Sequence, residues 1–195
     1  MTASSMLSCR SLSRFAVLLA FFLGAAAAVP ARGEGIEVKR AALVAAEDGY
    51  FLEAEFDIAL TPILEDALNK GIPLYFSLEF VLTRPRWYWF NEKVFDARQL
   101  YRVSYNALTR QYRVGVGTLY QNFASLPEAL AYLSRVRLRD IAEPGALGKG
   151  ASYVAEVRMR LDVSQLPRPF QVSAVGSRDW SVSSDWYRWT VTVTP

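Results

Sequence analysis

Histidine occurs nowhere in the 195 residues, and the single cysteine, Cys9, lies close to the start of the chain. Without imidazole there is no Ser-His-Asp arrangement and no ordinary proton shuttle near neutral pH. Beyond position 9 the chain has no thiol nucleophile, no Cys/His zinc site and no disulfide. Serine never stands three residues ahead of a lysine as S-x-x-K, and the calcium-loop pattern D-x-[DN]-x-[DN]-G is absent. "GALGKG" (Gly145 to Gly150) imitates a phosphate loop poorly. Two residues, where a phosphate loop has four, separate its first glycine from Gly-Lys, and glycine replaces the hydroxyl residue. From this alphabet we expect no cofactor, no metal, no catalytic residue and no enzymatic role.

What is present begins with an address. Arg10 and Arg14 precede the uncharged run "FAVLLAFFLGAAAAV" (residues 15–29), and small residues follow. That is the pattern of a signal peptide over residues 1–31, cleaved after Ala28 or after Ala31. The run falls short of the roughly 20 apolar residues that a membrane span needs. A leader retained as an inner-membrane anchor is therefore the alternative to an exported, periplasmic protein. No arginine pair marks a twin-arginine signal, and Cys9 precedes the apolar run, which argues against a lipoprotein. Without residues 1–31 the chain has 164 residues, 20 Lys+Arg and 19 Asp+Glu, a net charge of +1. Such a balance gives no electrostatic footprint for nucleic acid. Residues 32–195 are long enough to bury about 70% of their unfolded surface, so we expect one domain held by its core alone. Its cations are 16 Arg against 4 Lys, beside 23 aromatic residues. Arginine favours planar contacts to carboxylates and stacking on rings.

The dominant hydrophobic period is two. Leu52, Ala54, Phe56 and Ile58 alternate with polar neighbours, as do Leu74, Phe76, Leu78, Phe80 and Leu82. Tyr153, Ala155, Val157, Met159 and Leu161 repeat the pattern, and Tyr187, Trp189, Val191 and Val193 close it. Glu47-Asp48-Gly49 between two such runs predicts a hairpin. "RQLYRVSYNAL" and "RQYRVGVGTLYQNF" read as a further antiparallel pair. Two short helices interrupt the strands. One has Thr61 as cap, Pro62 at its first position and Gly71 as its stop; the other has Ser125 with Glu128 three residues on, a capping box. The expected fold is mainly β: a single antiparallel β-sandwich, immunoglobulin-like in general architecture, with two short helices.

Candidate functional residues fall into three groups. Glu53, Glu55 and Asp57 share one strand face and in principle form an acid-base pair or grip calcium; a solvated outer sheet face is the plainer reading. Arg135, Arg137 and Arg139 form a similar stripe, as protected sheet edges do. The third group is aromatic. In "RPRWYWFNEKVFD", Arg84 and Arg86 precede Trp87, Tyr88, Trp89 and Phe90. On a strand, Trp87 and Trp89 face one way and Tyr88 and Phe90 the other, so one pair is expected to be buried. In "SRDWSVSSDWYRW", Asp179 precedes Trp180, Asp185 precedes Trp186, and Arg178 and Arg188 are near. Either the two clusters meet in one aromatic core rimmed by arginine, with the aspartates accepting from indole N–H groups, or they form an exposed recognition surface.

Three blocks, "RWYWFNEKVFD", "SYNALTRQYRVGVGTLYQNFASLPEAL" and "SQLPRPFQVSAVGSRDWSVSSDWYRW", resemble a proteobacterial family of exported proteins known only as a domain of unknown function. The likeness runs from about Ile36 to Val193. It implies a signal peptide before a single domain with no assigned activity or catalytic residues. It also implies genes that often neighbour a sensor kinase and response regulator of the nitrogen-regulation type, hence a link to envelope sensing. The function expected overall is a periplasmic, non-catalytic interaction module with an envelope protein as partner. The alternative is a carbohydrate- or small-ligand-binding protein that stacks its ligand on Trp and Tyr. Peripheral contact with the membrane surface is a third reading.

Overall fold

The computed structural model describes residues 35–193, apart from positions 89 and 175 and the side chain of Arg178. The leader expected over residues 1–31, with its cleavage sites, and Trp89 lie outside the described residues. Among the described residues, no helix is long and apolar enough to cross a membrane.

Among the described residues, the alternating segments form nine strands in two antiparallel sheets. β1 (Gly35–Ala46), β2 (Gly49–Ala59) and β7 (Arg135–Ala142) make a three-stranded sheet in the order β1-β2-β7. The six-stranded sheet runs β6-β5-β4-β3-β8-β9. Its members are β3 (Leu74–Arg84), β4 (Glu92–Asn106), β5 (Gln111–Val116), β6 (Leu119–Phe123), β8 (Ser152–Leu161) and β9 (Tyr187–Thr192). One apolar core joins the sheets: Leu52 and Phe56 from β2 belong to the same buried cluster as Phe76, Phe80 and Met159. The two-sheet antiparallel architecture is the expected one, and the predicted inward residues of β2, β3 and β8 are all buried.

Both expected helices are present. α1 (Pro62–Asn69) is capped by Thr61, whose Oγ1 accepts from Leu64 N–H at 3.3 Å and donates to the Asp179 carbonyl at 2.9 Å. The buried Thr61 hydroxyl thus ties the helix start to the 3-10 turn at Arg178–Trp180. α2 (Leu126–Leu133) is capped by Ser125, while the Glu128 carboxylate accepts from Ala124 N–H at 3.2 Å. A third helix, α3 (Arg168–Ala174), was not expected from the sequence. Pro167 and Pro169 read as breakers, yet the first helical turn needs no proline N–H.

A second difference concerns "RQYRVGVGTLYQNF". It is two strands, β5 and β6, because Gly117 at φ 58° reverses the chain and Val116 pairs with Leu119. That turn places β6 as the edge of the large sheet.

Candidate functional site

The outer face of the six-stranded sheet is polar. Its centre is Glu79 on β3, with Arg98 of β4 directly across on one side and Arg158 of β8 on the other. Arg158 Nε donates to Glu79 Oε2 at 2.6 Å and Arg160 Nε to Oε1 at 3.0 Å. Arg98 reaches the same carboxylate at 3.5 Å, donates from Nε to Ser77 Oγ at 2.7 Å, and meets the buried Asp162 at 3.4 Å. Arg158 also lies over the Trp186 ring, 4.4 Å from its centroid.

Burial pushes the Glu79 carboxyl up, but hydrogen bonds and charge from Arg158 and Arg160 outweigh that and hold it below its ordinary value of 4.5. The folded state therefore binds its proton less readily than the unfolded state. The stabilisation is complete above about pH 4.5 and fades as pH falls through the lower folded value. Glu79→Gln should cost about 2 kcal/mol at pH 7, because Arg158 and Arg160 lose their anion while Arg98 keeps only Asp162. Urea unfolding checks this, and the gap to the parent should narrow as the pH falls below about 4.5.

The outer face of the small sheet is a ladder of ion pairs. Asp57 meets Lys39 at 3.0 Å, Glu55 meets Arg40 at 3.7 Å, and Glu53 is paired with Arg137. Arg137 also covers Phe51 at 4.7 Å. Each candidate carboxylate of the first group is thus matched to a cation on a solvated face. Among the described residues, no group of three or more potential ligands could hold a metal.

The aromatic clusters do not behave as one core. Pro85 cannot extend the β3 ladder, so the strand ends at Arg84, and the turn into β4 is closed by the Arg84–Glu92 pairing. Arg86 is ion-paired with Glu92 at its base, and Arg84 is exposed. Alternation does not apply to a loop, which overturns the expectation of a buried pair. Trp87 is 94% exposed, Tyr88 65% and Phe90 84%. Trp87 and Tyr88 meet edge to face at 5.2 Å.

The second cluster divides. Trp180 is buried against Phe170 at 5.9 Å, and Trp189 packs on the core residue Phe80 at 6.2 Å. Trp186 is half-exposed beneath Arg158, and Arg188 is ion-paired with Glu156. Among the described residues, neither aspartate accepts from an indole N–H. Asp179 is exposed, its carboxylate accepting from Ser177 Oγ at 3.3 Å; Asp185 is exposed as well. In a 3-10 turn and an irregular segment, the residue before a tryptophan is not aimed at its ring nitrogen.

A family model described as Domain of unknown function (DUF4390) matches residues 33–190. The chain belongs to that family. The match spans both sheets and all three helices, in agreement with the resemblance carried by the three sequence blocks, and the family's description assigns no activity. No curated protein and no solved structure matches the chain.

Proposed function

We propose that this DUF4390 member is an exported, periplasmic, non-catalytic recognition module that offers its β3–β4 hairpin tip to an envelope protein. The observation that carries this reading is the exposure of Trp87, Tyr88 and Phe90 between β3 and β4, with Trp87 and Tyr88 in ring contact. Large aromatic groups held in water lose the burial that such side chains provide elsewhere, and Trp, Tyr and Arg are the types that anchor interfaces. The matching partner surface is an apolar cleft rimmed by carboxylates facing Arg84.

Stacking of a sugar on tryptophan has less support. Trp180 is buried, Trp189 is packed on Phe80, and the Trp186 face holds the Arg158 guanidinium. Catalysis has less support still, since Glu53, Glu55, Asp57 and Glu79 are all matched to cations. Export itself rests on the leader pattern in residues 1–31.

The test replaces Trp87, Tyr88 and Phe90 together by alanine in the protein carrying its native leader. The variant should melt within about 2 °C of the parent, as substitutions away from packed features do. It should lose at least about tenfold in chemically crosslinked complex with an envelope protein in intact cells. A complex that survives the triple substitution contradicts the reading. So does flotation of the purified parent with anionic vesicles, abolished by the same substitutions, which would assign the tip to the membrane surface.

A further inference from the structure

A groove of about 550 Å³ crosses the far end of the same outer sheet face, over β4, β5 and β6 and away from the hairpin tip. Its cations are Arg102 on β4 and Arg113 on β5. In the β4–β5 register Arg102 pairs with Gly115 and Ser104 with Arg113, so the two arginines are diagonal neighbours on one face. Among the described residues, no carboxylate lines the groove. Among the described residues, neither arginine is ion-paired, unlike Arg98, Arg137, Arg158, Arg160 and Arg188.

Two tyrosines fix the guanidinium groups. Arg102 lies over Tyr75 with its Cζ 5.9 Å from the ring centroid, and Arg113 lies over Tyr120 at 5.1 Å. Stacking orders a guanidinium while leaving its N–H edge free to donate. Arg113 carries a further mark: its Nε is buried and meets no hydrogen-bond acceptor among the described residues. A buried donor on a charged group is costly to leave unmet, and native structures satisfy nearly all such groups.

The floor between the arginines is kept bare by Gly115. A Cβ there would stand 3.1 Å from the Leu119 carbonyl oxygen and 3.5 Å from the Tyr120 Cβ. Beside the cations, Leu100 and Leu119 line the groove while 38% and 78% exposed.

We infer that this groove binds a small ligand with an oxyanion head, phosphate or carboxylate, held by Arg102 and Arg113, and an apolar or planar body lying on Leu100 and Leu119. Paired guanidinium forks suit the two oxygens of either head. The absence of a competing carboxylate gives the site its sign, and the free Arg113 Nε gives the anion a donor that the protein leaves unused. The inference stands apart from the hairpin-tip reading, because it uses none of the same residues.

Phenyl phosphate, benzoate and inorganic phosphate serve as probes against the purified protein, encoded with its native leader. Binding is read by calorimetry and by the ¹H–¹⁵N resonance of the arginine Nε groups. The expected result is saturable binding of phenyl phosphate or benzoate that shifts the Arg113 Nε resonance and weakens at least about tenfold in Arg113→Gln and in Arg102→Gln. Arg137→Gln, on the other sheet, should leave it unchanged. Preference for phenyl phosphate identifies a phosphate head, and preference for benzoate a carboxylate head. Equal binding of inorganic phosphate identifies a free anion as the natural occupant of the two arginines. No binding of any probe at about 10 mM overturns the proposal, given the strength expected of paired charge-assisted hydrogen bonds. Binding that ignores both arginine substitutions overturns it equally. Should Arg113→Gln fail to fold, Arg102→Gln and the Nε shift in the parent decide the matter.

Discussion

Phe80→Ala should destabilise the protein by about 4 kcal/mol, the cost of deleting a large ring from a close-packed core. Phe80 is fully buried on the central strand β3, with ring centroids of Phe95 and Trp189 at 6.1 and 6.2 Å. Its cross-strand partners are Ala97 and Val157, too small to fill the space. Trp87→Ala, by contrast, should cost under about 0.5 kcal/mol, as surface substitutions do. Urea unfolding of both variants checks the pair. Comparable losses would mean that the hairpin tip is packed against the body, and the recognition reading would fail with that result.

Gly49→Ala should cost about 3 kcal/mol, combining backbone strain with a forced separation of strands. Gly49 opens β2 at φ 131°, where a side chain is strained. The obstacle is steric as well. A Cβ would sit 2.5 Å from the Ala142 carbonyl oxygen at the end of β7, and that oxygen belongs to rigid backbone. The β1–β2 hairpin and β7 would have to part, loosening the small sheet at its turn. For a chain of this length the loss corresponds to a fall of about 10 °C in melting temperature, measurable by calorimetry. A variant melting within a degree or two of the parent would refute this account of the contact.

Much of the fold was legible because period-two alternation carries burial directly. Leu74 to Leu82 and Tyr153 to Leu161 are buried at alternate positions as their pattern requires. Thr61 and Ser125 cap helices because a hydroxyl oxygen at that place accepts from a first-turn N–H that has no partner within the helix. The failures are equally physical. Alternation was carried through Pro85 into a loop, where it has no meaning, so Trp87, Tyr88 and Phe90 were divided between two faces when all three are exposed. The Glu79 network and the Arg102–Arg113 groove were missed because both depend on strand order. That β3 lies between β4 and β8 brings Arg98, Arg158 and Arg160 to one carboxylate. The outward i, i+2 arginines were visible as Arg158 and Arg160, but nothing local says which anion faces them. Arg113 gave no signal at all, since its free Nε is a property of packing.

The most direct measurement places a photo-reactive amino acid at position 88 of the protein in living cells, with position 108 as control. Leu108 is 95% exposed at a different turn, so the control site is at least as accessible as Tyr88. The account predicts a discrete covalent adduct with an envelope protein from position 88 and none from position 108. Adducts from both positions alike, or from neither, would contradict it.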